Sequence, residues 1–138
     1  MTSLSTRLVF AWLLCAVIAT LGPFDFGAAP PGQQHGFTVS RDGSDQQDPI
    51  HVGLNLLLFV PLGALLHHEG QRRSIKLLSI VIVTGAAAFL ISLAVESLQR
   101  FLPNRESSLI DLVTNTTGGL MGVLGGRAWG SIHGSTDE

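Results

Sequence analysis

The chain has no tyrosine, one cysteine and few charges: of its 138 residues 13% are Asp, Glu, Lys or Arg, while 46% are hydrophobic. A soluble domain carries about 25% charged residues, so this chain lacks the charge to cover an ordinary water-facing surface. A mean hydropathy of +0.40 points the same way. The formal net charge is −2 and no basic face runs along the sequence, which excludes the electrostatic footprint of a nucleic-acid-binding protein. Cys15 follows Leu14 rather than a small residue, which excludes a lipoprotein attachment site. No serine or cysteine stands in a nucleophile signature either.

What the chain does have is four apolar stretches. The first runs from Leu8 to Phe26, with Gly22 and Pro23 near its end. It exceeds the roughly 7 to 15 residues of a signal-peptide core, and Pro30 would follow a cleavage site at Gly27, Ala28 and Ala29. It therefore reads as a retained first helix. Residues 27–48, rich in Gly, Pro, Gln, Asp and Ser, read as a solvated extracytoplasmic loop. Asp48-Pro49 is a helix-start signal, a capping carboxylate followed by a proline that loses nothing at the first helical position. The second helix is expected over Pro49 to His68, with Gly70 as its stop. Arg72, Arg73 and Lys76 fill the next connection. The third helix is expected from Leu77 to Leu98, uncharged before Glu96, and Phe101 to Asn104 break it. Ser108 stands three residues before Asp111, the spacing of a capping box, so a fourth helix is expected from Leu109 to Trp129. A polar cytoplasmic tail, 130–138, follows.

Spans of about 20 residues suit a bilayer. The expected fold is thus an all-α integral membrane protein, four transmembrane helices in an antiparallel bundle, with residues 49–129 as a three-helix core behind a first helix within residues 1–26. A cytoplasmic N-terminus puts Arg7, Arg72, Arg73, Lys76 and Arg127 inside and Arg41, Arg100 and Arg105 outside. That bias favours both termini in the cytoplasm.

This arrangement collects the polar residues. His51 and Asn55 open the second helix, Glu96 and Gln99 close the third, and Asp111 and Asn115 open the fourth, within a band of about 10 Å beneath the outer headgroups. Each pair is three or four residues apart and shares one helix face. Ser92, Ala88 and Gly85 continue the face of Glu96, while Gly118, Gly122 and Gly126 continue that of Asn115. Small residues let helices approach closely and offer lipid nothing. Both faces are expected to point into the bundle, although a glycine face also serves pairing between two chains.

Plainer roles compete. Asp111 reads equally well as a capping-box acid, and His51 and Asn55 as bonds between helices. The glycine run reads as packing, and Pro61 with Gly63 as a tolerated kink. Glu96 is harder to set aside, because an acid inside an apolar helix costs about 2 to 3 kcal/mol or more when it faces lipid. Its candidate partners are Arg100 and Arg105 nearby in sequence and His51 across the bundle.

His51, the run Asn55-Leu56-Leu57-Leu58-Phe59-Val60-Pro61-Leu62-Gly63, then Glu96-Ser97-Leu98-Gln99, Arg105, Asp111, Asn115, Gly118 or Gly119, and Gly122 together resemble the VanZ-like domain. That family is named after a small membrane protein associated with teicoplanin resistance. The resemblance covers Asp48 to about Gly126 and implies an integral protein of the bacterial envelope; it does not assign a chemistry.

Two function classes stay open. In one, an outer-leaflet polar pocket of His51, Asn55, Glu96, Gln99, Arg105, Asp111 and Asn115 binds an anionic amphiphile, such as a lipid-linked cell-wall intermediate or a glycopeptide antibiotic. Arginine suits phosphate or carboxylate groups. In the other, the same residues lock the helices together and function lies in contact with a partner. His51 and Glu96 have the chemistry of a general base and its orienting acid, but no nucleophile accompanies them. A metal held by His51, Glu96 and Asp111 is chemically conceivable, yet neighbouring arginines would oppose a cation. No cofactor is expected.

Overall fold

The computed structural model describes residues 4–21, 49–99, 101–102 and 108–133. The expected loop 27–48, the end of the first apolar run (22–26), Arg100 and Arg105 lie outside them. The described chain is entirely helical in its regular structure: α1 Leu4–Leu21, α2 Pro49–Arg72, α3 Leu77–Gln99 and α4 Leu109–His133. Two helices are long and apolar enough to cross a membrane, over Val52–Arg72 and Leu77–Gln99. The apolar stretch of α1, Thr6–Leu21, is shorter, and α4 is diluted by threonines, an asparagine and glycines.

In α3 the polarity of a soluble helix is inverted. Its buried stripe is Ile80, Thr84, Ala88, Ser92, Val95, Glu96 and Gln99, mostly small or polar, and Thr84, Ala88 and Ser92 are completely enclosed. The opposite face exposes Leu78, Ile82, Val83, Phe89 and Leu90. Water drives large apolar side chains inward, but lipid does not distinguish them from its own tails. Under that solvent, helices meet where small residues allow close approach.

The tightest meeting is between α2 and α4. A Cβ added to Gly118 would collide with the carbonyl of Leu56, one on Gly122 with that of Val60, and one on Gly63 with that of Gly119. Farther along, Gly126 lies against His67, whose Nδ1 would stand 3.0 Å from an added Cβ. The pairs advance together along both helices, so α2 and α4 run parallel with their backbones in direct contact. Gly63, expected only as part of a kink, is the α2 contribution to this seam.

Pro61 removes the amide that would bond the carbonyl of Leu57. The neighbouring carbonyl, that of Leu58, accepts the indole N–H of Trp12 at 2.9 Å. The Trp12 ring meets Phe59 edge-on, centroids 5.4 Å apart and planes at 76°. Trp12 so docks α1 on the proline turn of α2.

The end of α2 differs from expectation. Gly70 is helical, and its missing side chain makes room for Ile80, which would stand 2.6 Å from an added Cβ. The stop comes at Ser74, with φ of 55°. The Ile75 amide donates to the Gly70 carbonyl at 2.9 Å and the Ser74 amide to that of Gln71 at 3.0 Å, the two bonds of a Schellman cap. Here serine occupies the left-handed position that glycine usually takes.

Candidate functional site

Glu96 is 2% exposed, in the last turn of α3. Its Oε2 accepts the backbone amide of Ser108 at 2.9 Å. Ser108 immediately precedes α4, and its Oγ accepts the Ile110 amide at 3.1 Å, so Ser108 is the N-cap. In the capping box expected from the sequence, the Ser108 amide would go to the acid three residues on, Asp111. It goes instead to Glu96, an acid of the preceding helix. This answers the question of how the bundle tolerates the buried carboxyl group. A helix start offers unsatisfied amide donors and partial positive charge, both of which suit an acid.

Asn115 and Gln99 are also drawn into contacts between helices. Asn115 Nδ2 donates to Ser92 Oγ at 2.9 Å, a buried bond between α4 and α3. Asn115 Oδ1 is buried and finds no donor among the described residues. Gln99 Nε2 donates at 3.0 Å to the carbonyl of Thr20, which ties α3 to the end of α1. Asp111 is half-buried in the first turn of α4, and Asn55 is half-buried one turn inside α2. His51 lies in the first turn of α2, but its side chain, like Arg100 and Arg105, falls outside the described residues. Glu96, Gln99, Asn115 and Ser92 therefore form one bracing layer across α1, α3 and α4.

The connection from α3 to α4 is pinned on both sides of its undescribed part. The Leu102 amide donates to the Gln99 carbonyl at 2.9 Å, and the Leu102 side chain is buried with Leu21 and Val95. Ser108 is held by Glu96 at the other side. Arg105 belongs to the short stretch between these two anchors.

Ser97 Oγ donates to the Leu93 carbonyl at 2.7 Å, and Cys15 is exposed on α1. Sequence reasoning assigned no site to His67 and His68. In the structure they line a cavity together with Arg127 of α4. Those residues are about sixty positions apart, so no local spacing could have announced it.

Helices that turn large apolar side chains outward and brace one another through small and polar ones, two of them of membrane-crossing length, define a membrane-associated protein of the all-α class. The family model for VanZ/LLP1 matches residues 5–129. The chain belongs to the VanZ/LLP1 family. No curated protein and no solved structure matches it.

Proposed function

We propose that the protein is a multi-pass component of the bacterial cell membrane, with four spans and both termini cytoplasmic, that engages an anionic amphiphile at its outer surface. The carrying observation is the Glu96–Ser108 hydrogen bond. It fixes the start of α4 against the end of α3, and Arg100 and Arg105 fall in the sequence between those two ends. Guanidinium groups suit phosphate or carboxylate, which they can bind through two parallel hydrogen bonds. Asn115 Oδ1 offers an acceptor, and Asn55 an amide. A lipid-linked cell-wall intermediate or a glycopeptide such as teicoplanin has the required chemistry: anionic groups beside a lipid tail.

A second reading has its own support. The bonds of Gln99 to Thr20 and of Asn115 to Ser92 are what a purely structural lock requires, with function residing in contact with a partner protein. A second copy of the chain would have to approach over a face other than that of Gly118 and Gly122, which α2 of the same chain covers.

Two substitutions separate these readings. With the pocket, Arg105→Ala abolishes a phenotype such as glycopeptide tolerance while the protein still accumulates in the membrane, and Glu96→Gln weakens it. Loss of the protein itself from the membrane in both variants favours the lock. Reporter fusions after Arg41 and after Arg73 test the topology: a cytoplasmic Arg41 loop overturns the outer placement.

A further inference from the structure

At the end of the bundle remote from Glu96, α2 and α4 line a cavity of about 680 Å³. His67, His68 and Gln71 line it from α2, and Arg127, Trp129 and Ser131 from α4. Among the described residues no aspartate or glutamate lines it. The neighbouring acid, Glu69, is engaged elsewhere: Arg73 meets its Oε1 at 2.7 Å and Arg72 its Oε2 at 3.8 Å. His67 is buried, yet Gln71 Nε2 stands 3.5 Å from its Nε2, too far for a strong bond. The guanidinium of Arg127, the amide N–H groups of Gln71 and the imidazole N–H groups supply donors along its lining. That inventory suits an anion with several oxygen acceptors.

Position narrows the class. Arg72, Arg73, Lys76 and Arg127 all cluster at this end, which the charge bias places at the cytoplasmic surface. An exposed tryptophan, Trp129, is typical of the interfacial layer. Basic pockets between membrane helices on that side suit phosphate-bearing headgroups. Gln71 of α2 and Ser131 of α4 belong to the last turns of their helices, whose partial negative charge opposes an anion, so the Arg127 guanidinium, one turn earlier, is the group that must outweigh it.

We propose that this cavity is a phosphate site, with Arg127 as its principal contact, the buried His67 as its floor and Gln71 at its exposed rim. The shared chemistry is an anionic phosphate, delivered by a phospholipid headgroup or by free phosphate.

The test uses the full chain purified in detergent, with thermal melting followed while phosphatidylglycerol, phosphatidylcholine or inorganic phosphate is titrated. Phosphatidylglycerol should raise the melting temperature at concentrations where phosphatidylcholine does not. Arg127→Gln should weaken that binding about tenfold or more, since a charged hydrogen bond is lost, while melting without lipid stays as in the parent. Lys76→Gln removes an equal charge from the exposed connection outside the cavity and should leave binding within about twofold. Protection by inorganic phosphate that Arg127→Gln also abolishes identifies the soluble source; protection by the lipid alone identifies the headgroup. Equal protection by phosphatidylcholine, no protection by either phosphate source, or equal losses in the Lys76 and Arg127 variants would overturn the site.

Discussion

The seam between α2 and α4 and the attachment of α1 hold the same bundle by opposite means. At the seam, backbones touch through Gly63, Gly118 and Gly122, and specificity comes from the absence of side chains. The α1 helix meets its neighbours much less extensively, and relies on polar anchors, Trp12 on Leu58 and Gln99 on Thr20. A backbone seam fails abruptly, because nothing in it can rotate away. A side-chain anchor fails by degrees, one hydrogen bond at a time. The chain thus has a stiff pair at its centre and a first helix held more loosely.

The sharpest way to break this contrast is Gly122→Val. Its branched side chain would be driven into the Val60 carbonyl, so the expected loss is about 3 kcal/mol or more, read as a collapse of membrane abundance. Glu96→Ala comes next. It leaves the buried Ser108 amide without its acceptor, at about 1 to 3 kcal/mol, and should lower the melting temperature and speed proteolysis between α3 and α4. Trp12→Phe keeps a ring against Phe59 but removes the donor to Leu58, for about 0.5 to 1.5 kcal/mol, and should loosen α1 alone in hydrogen exchange. Ser74→Gly should raise stability by about 1 kcal/mol, because glycine takes the left-handed conformation without steric cost. Gly125→Ala, with open space around its added Cβ, should stay within about 1 kcal/mol of the parent. Equal damage at Gly125 and Gly122 would mean that the seam is not where the backbones meet.

Sequence pattern carried the helix starts well. Asp48-Pro49 pointed to a helix from Pro49 and Ser108 to one from Leu109, and both begin there, since N-terminal signals are local chemistry. The end of α2 was misplaced because Gly70 is small for the sake of Ile80, a tertiary reason, while the left-handed residue is a serine that no propensity would choose. The acid that caps α4 was likewise hidden. A capping box is written in four consecutive residues, but the one used here draws its acid from another helix. The cavity of His67 and Arg127 lay beyond reach for the same reason, its two walls belonging to distant parts of the chain.

The Glu96 cap also bears on how this region can change. A surface connection ordinarily tolerates added residues, since each doubling of its length costs only about 0.6 kcal/mol. Between Gln99 and Ser108 that freedom is curtailed, because the start of α4 must arrive beneath a carboxylate belonging to the helix before it. A residue inserted or removed there would pull the cap from its helix or draw Leu102 out of its packing with Leu21 and Val95. The connection is a spacer of set length, and variation among natural forms of the chain should favour exchanges of residue type over changes in their number.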